Sequence, residues 1–253
     1  MSNHSSHRYF VWLSYDGANY HGWQIQPNGN SVQAELQHGI SLLLHQQVEV
    51  TGAGRTDAGV HARQMVAHFD TYKDVNTNEL TYRLNRLLPH DISISFIREV
   101  PVELHARFSA TSRTYHYYIH TTKNPFLRTY SWETHYRLDF HLMNEAASCM
   151  MNYEDFGAFC KSGADVKTTL CHVTEAKWVQ DSEDTWHFRI VANRFLRNMV
   201  RAVVGTLIDV GRHRISVDDF QRIIEGKKRS NAGESMPPHA LFLEGVEYNT
   251  FHV

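Results

Sequence analysis

A chain of 253 residues with 42% hydrophobic and 21% charged side chains can bury a sizeable core, as one large domain or two joined halves, and its composition excludes a disordered or fibrous class. Its 25 basic and 27 acidic side chains nearly cancel, so a nucleic-acid site would be a local patch rather than a property of the whole chain. No run approaches the roughly 18 apolar residues of a membrane span. The polar opening MSNHSSH (1–7) reads as a frayed tail without the apolar core of a signal peptide. Cys149, Cys160 and Cys171 are odd in number and eleven apart, a spacing that fits neither a disulfide framework nor a metal knuckle and points to a reducing cytoplasm. The 18 histidines follow no HExxH or comparable ligand pattern, so no metal is expected.

In chain order, residues 8–15 (RYFVWLSY) are aromatic and β-branched and predict a strand. Residues 16–30 form a loop, with turn chemistry at Asp16-Gly17 and at Pro27-Asn28-Gly29. Its Asp16, Tyr20, His21, Trp23 and Gln24 suit stacking and hydrogen bonding to unpaired bases; the alternative is a structured loop whose Trp packs inward. Asn30 or Ser31 caps a helix in which Val32, Leu36, Ile40 and Leu43 share a face. A short strand over 48–51 leads into GAGRTDAGVHA (52–62), a strand over 64–69 follows, then a helix over 77–88 that stops before Pro89 and a strand over 92–99. The order β-α-β-β-α-β is the ferredoxin-like pattern.

The same order recurs with insertions. A strand is expected over 113–120, a helix over 142–151, a hairpin from 168–180 and 185–192, the strongest helix over 195–210, and a closing strand over 240–248. The expectation is therefore an α+β fold of two ferredoxin-like halves, 8–103 and 104–253, whose antiparallel sheets join with a cleft between them.

The segment 52–62 carries the most chemistry. Gly52, Gly54 and Gly59 hold Arg55, Thr56 and Asp57 in a stretch too rich in glycine for a helix. A dinucleotide fingerprint starting at Gly52 would need glycine where Asp57 stands, and no Gly-Lys-Ser/Thr follows as a phosphate loop requires. Two readings remain: a surface turn with a local salt bridge, or a positioned, ionised carboxylate able to act as nucleophile or base. Farther on, Arg107, Arg113 and Tyr115 lie in LHARFSATSRTYHYYI (104–119). On a helix over 195–210, Arg194, Arg197 and Arg201 would form one stripe, either a solvated face or a phosphate site. Lys227, Lys228 and Arg229 form an exposed basic triplet that could touch an RNA backbone.

GAGRTDAGVHA, with YDGANYHGWQ and VQAEL before it and HFD after it, resembles the signature of the TruA family of tRNA pseudouridine synthases, and the likeness runs over nearly the whole chain. The resemblance implies an isomerase that converts uridine to pseudouridine on the 3′ side of the anticodon stem-loop of tRNA. It implies Asp57 as the catalytic aspartate, Tyr115 as the residue stacking on the target base, Arg201 as the partner of Asp57, and Leu241 as the apolar residue of the site. MPPHAL (236–241) departs from the family's usual run at Pro238 and Ala240. Arg55, Arg194 and Arg197 are expected to bind substrate. The implied partners are tRNA and a second copy of the chain, with no metal or nucleotide cofactor because substrate and product are isomers, and no membrane is expected because no apolar span is present. The rivals are an inactive RNA-binding protein on the same fold, and a glycoside hydrolase with Asp70 as second carboxylate.

Overall fold

β1 (His7–Tyr15) is buried on both faces through its middle, which explains why its sequence is nearly continuous in apolar residues rather than alternating. It lies between two antiparallel partners, β3 (His61–Thr71) and β4 (Ile92–Val100), and the two-residue β2 (Thr51–Gly52) pairs with β3 at His68 and Ala67. The order β4-β1-β3-β2 is the one a ferredoxin-like unit requires. The computed structural model of the chain describes residues 6–164 and 166–249. Most of the tail expected over 1–7 lies outside the described residues, and His7 already opens β1.

α1 (Val32–Leu44) starts where Ser31 Oγ accepts from the Ala34 amide, and it buries Val32, Leu36, Gly39 and Ile40. α2 (Thr77–Leu87) is capped by Asn76 and buries Leu80 and Leu84. The strand expected over 48–51 shrinks to Thr51–Gly52 because side chains of α1 satisfy the backbone before it. Ser41 Oγ accepts from Val48 N (3.2 Å), Gln37 Oε1 accepts from Val50 N (3.1 Å), and Gln33 Nε2 donates to Val50 O (2.7 Å). With those groups paired to α1, they are not available to a longer ladder.

Two compact units emerge, one running to Thr111 and resuming at Leu243, the other Ser112–Phe242. This differs from a division at 103/104, since β9 (Leu241–Tyr248) is returned from Leu243 onward to the first unit. Within the second unit, β5 (Ala110–His120) pairs antiparallel with β8 (Thr185–Ala192), which pairs antiparallel with β7 (Val173–Gln180). β6 (Trp132–Glu133) adds a short parallel pairing to β5. α3 (Phe140–Cys149) packs on β7, and α4 (Met199–Gly211) packs on α3. α4 buries nearly every residue, as a central helix must. The fold class is α+β with mostly antiparallel pairing, as the order of elements implied.

Further elements differ from expectation: the strand expected over 168–180 begins at Val173, and β6 has no counterpart among the expected strands. The helix predicted over 195–210 begins at Met199, because Asn198 takes a left-handed conformation (φ 67°) and breaks the pattern before it. α5 (Val217–Gly226) was not anticipated; Ser216 and Asp219 form a reciprocal capping box, and Phe220 and Ile224 bury its face.

Candidate active site

Asp57 stands in the first unit, half-exposed, on the loop between β2 and β3. The loop is clamped from both sides. Ala53 N donates to Val66 O (2.7 Å), Trp23 N donates to Thr56 O (3.2 Å), and Gly59 N donates to Tyr20 O (3.3 Å). Thr56 is buried and its hydroxyl meets Tyr15 Oη at 2.8 Å, so the residue before Asp57 is anchored to the central strand. Gly59 has φ 76°, the backbone that made glycine necessary there, whereas a Cβ on Gly54 would meet open space.

The loop over 16–30 is the clamp. Tyr20 and Trp23 are 5% and 2% exposed, so neither offers a face to a base, and the inward-packing alternative holds. Tyr20 Oη donates to Asp91 (2.5 Å). Trp23 packs against Gly52, where an added Cβ would stand 2.5 Å from the indole. Gly22, at φ 89°, passes so close that its Cβ would stand 2.3 Å from Thr56 O. These residues position the aspartate, a role that aromatic and amide content alone did not reveal; the Gly22-Trp23 pair was the usable signal. The buried His61 Nδ1 accepts from Gly17 N (3.0 Å) and lies 2.9 Å from Asp16 Oδ1, tying the loop's far end to the same clamp. Arg55 is exposed beside Asp57 in sequence.

Tyr115, Arg194, Arg197, Arg201 and Leu241 stand in the second unit. Tyr115 is buried on β5 with Phe195 edge-on at 5.0 Å. Arg201 lies in the first turn of α4, and its Nε donates to Met236 O while its carbonyl accepts from Met236 N. The segment after α5 is moulded to the same helix: a Cβ on Gly205 would stand 1.9 Å from Glu234 O, and Gly233 N donates to Thr206 Oγ1 (2.9 Å). Tyr117 Oη donates to Pro237 O (3.1 Å), and burial holds that phenol neutral against the nearby Arg201 charge. Pro238 opens a 3-10 turn (Pro238–Ala240), and Leu241 follows buried with an extended backbone at the head of β9. Pro238 and Ala240 are thus accommodated in a regular turn.

The arginine stripe is corrected. Arg194 and Arg197 precede α4, so the helical spacing that grouped them with Arg201 does not exist. Arg194 is half-buried, its charge opposing the burial that pushes the Cys160 thiol up and the Cys171 thiol to about 11. Arg197 is exposed. The basic triplet is also mostly engaged within the fold. Lys227 Nζ pairs with Asp155 (2.8 Å), and Arg229 donates to Gly233 O (2.9 Å) and Ser235 Oγ (2.9 Å). Asp70 is gripped by both sides of the Arg8 guanidinium (2.7 Å each), which holds its carboxyl below the usual range. That pairing makes it a structural group of β3 rather than a second glycosidase carboxylate. Among the described residues no group of three His, Cys, Asp or Glu side chains is arranged to hold a metal ion, and all three cysteines are free thiols.

The model of the tRNA pseudouridine synthase family matches residues 12–109 and 153–249, which include the whole Asp57 loop, its clamp, α4 and the 233–241 segment. The chain belongs to this family. Relatives named tRNA pseudouridine synthase A agree over nearly the full length. That of Bacteroides fragilis is 54% identical over 245 residues (96% of this chain, 97% of the relative). That of Bacillus subtilis is 38% identical over 241 residues (94% and 97%). As a tRNA pseudouridine synthase the chain is an isomerase acting on uridine in tRNA. No helix among the described residues is long and apolar enough to cross a membrane.

Proposed function

We propose that the chain isomerises uridines on the 3′ side of the anticodon stem-loop of tRNA, as a cytoplasmic homodimer that uses neither metal nor nucleotide cofactor. What carries this reading is the signature loop over 52–62, held by hydrogen bonds at Ala53, Thr56 and Gly59, in a chain whose full-length relatives are named tRNA pseudouridine synthase A. A loop so held presents Asp57 without reorganising it, which is what a group acting at a developing charge requires.

In the reaction the bond from ribose C1′ to N1 of the base breaks, the base turns, and a bond from C1′ to C5 forms; the C5 proton leaves and N1 gains one. Asp57 acts at the ribose. Tyr115 stacks on the freed base and takes or relays the C5 proton. Arg201, steadied by Met236, pairs with Asp57, and Leu241 closes the apolar wall. Arg55, Arg194 and Arg197 supply charge to the RNA. A target in a helix must be extruded, at a cost of a few kcal/mol.

Incubation with tRNA transcripts carrying tritium at uridine C5 tests the proposal. Release of label to water is expected, with loss of release when the uridines 3′ of the anticodon are replaced by cytidine. Retained label would overturn the reaction, and release unaffected by the replacement would overturn the site.

A further inference from the structure

Phe108 is 78% exposed, on a turn whose backbone leaves it little freedom. His105 Nδ1 accepts from Arg107 N (3.1 Å) and Phe108 N (3.3 Å), and Ser109 Oγ accepts from His105 N (2.9 Å). Ala106 is locked on both sides, its N–H donating to His68 Nδ1 (3.2 Å) and its carbonyl accepting from Tyr248 Oη (2.6 Å). Arg8, already paired with Asp70, donates to Leu104 O (2.8 Å).

The rings continue this order outward. Buried His68 meets His105 edge-on at 4.6 Å, and His105 meets Phe108 tilted at 4.4 Å, so ring contacts run from the interior to an open ring. The Arg107 guanidinium stands 5.7 Å over the same ring. A single exposed ring is ordinary on a protein surface, but a ring beside a guanidinium on a hydrogen-bonded turn is the pairing that stacks on an unpaired base and meets its phosphate.

We propose that the Arg107–Phe108 tip is a tRNA contact, Phe108 stacking on an unpaired base and Arg107 meeting the adjacent phosphate. The inference rests on tRNA being the substrate and adds a binding element outside the Asp57 loop. Because the turn is built before the RNA arrives, ordering it adds little to the cost of binding.

Anisotropy of a labelled tRNA transcript, titrated with the full-length protein and its variants, tests this. Phe108→Leu is expected to weaken binding about tenfold while Phe108→Trp retains affinity, because stacking is worth roughly 1–3 kcal/mol per base. Arg107→Ala is expected to flatten the salt slope by about one unit. The thermal midpoint of each variant should match the parent, since the ring is exposed. Unchanged affinity of Phe108→Leu, equal weakening by Trp and Leu, or a midpoint that falls with affinity would each overturn the proposal. A parent that binds tRNA through Phe108 but releases no tritium would overturn the catalytic reading alone. A parent that releases tritium while Phe108→Leu binds as well as it does would overturn this one alone.

Discussion

Asp57 is half-exposed while Thr56 beside it is buried against Tyr15, so the backbone is anchored one residue before the charge it presents. Asp57→Asn keeps the size and one acceptor and removes only the charge. Turnover is expected to fall about a thousandfold or more, with tRNA affinity equal or higher because a negative charge facing a polyanion is gone; tritium release and anisotropy check both. Tyr115→Phe keeps the buried ring and its contact with Phe195 and removes only the hydroxyl, so near-normal affinity with severely reduced turnover is expected. His68 belongs to stability rather than chemistry. Burial, with Arg8 and His105 nearby, lowers it from 6.5 to about 4. The unfolded chain therefore takes up a proton near pH 6.5 that the folded one refuses until about pH 4. Stability is complete above the higher value and declines as pH falls between the two, by on the order of 2–3 kcal/mol. Urea midpoints measured across that window should fall with pH, and His68→Asn should flatten the slope.

At the scale of elements, the two segments that matter most are irregular loops moulded to regular ones. The clamp over 16–30 touches the Asp57 loop through Gly22, and Gly22→Ala meets both an unfavourable left-handed φ and the Thr56 carbonyl. A loss of turnover larger than the loss of stability is expected, since the clash displaces the residue beside Asp57; kcat and a thermal midpoint measured together decide it. On α4, Gly205→Ala drives a Cβ into the Glu234 carbonyl, which is backbone and cannot swing aside. Destabilisation of about 1–3 kcal/mol is expected. Because the 233–236 segment holds the Arg201 side chain, turnover should fall as well.

For the whole molecule, a net charge of −2 means that affinity for tRNA rests on local arginines rather than on bulk attraction. Arg197→Ala should weaken tRNA binding and reduce the salt slope by about one unit. A homodimer should sediment at about twice the chain mass of 29.3 kDa at micromolar concentration. A single-chain mass would contradict the proposed assembly.

The sequence by itself determined the α+β class, the order of nearly all strands and helices, and the family. Those follow from local periodicity and from an eleven-residue signature, and both are readable along the chain. Its β-rich runs became β1, β3, β4, β5, β8 and β9 with ends shifted by a few residues at most. Where it failed, a partner outside the local pattern or a single backbone angle decided. Residues 48–50 form no ladder because α1 side chains take their backbone groups. The arginine stripe dissolved because one asparagine turned left-handed, and hydrophobic spacing does not sense a single φ angle. The basic triplet and the aromatic loop resembled RNA-binding surface in composition, yet Arg229 donates to the Gly233 carbonyl and the Ser235 hydroxyl, and Trp23 lies against Gly52. Whether a polar or aromatic side chain faces water or the chain's own backbone depends on how segments outside its own local pattern fold back onto it, and only the tertiary structure decides that.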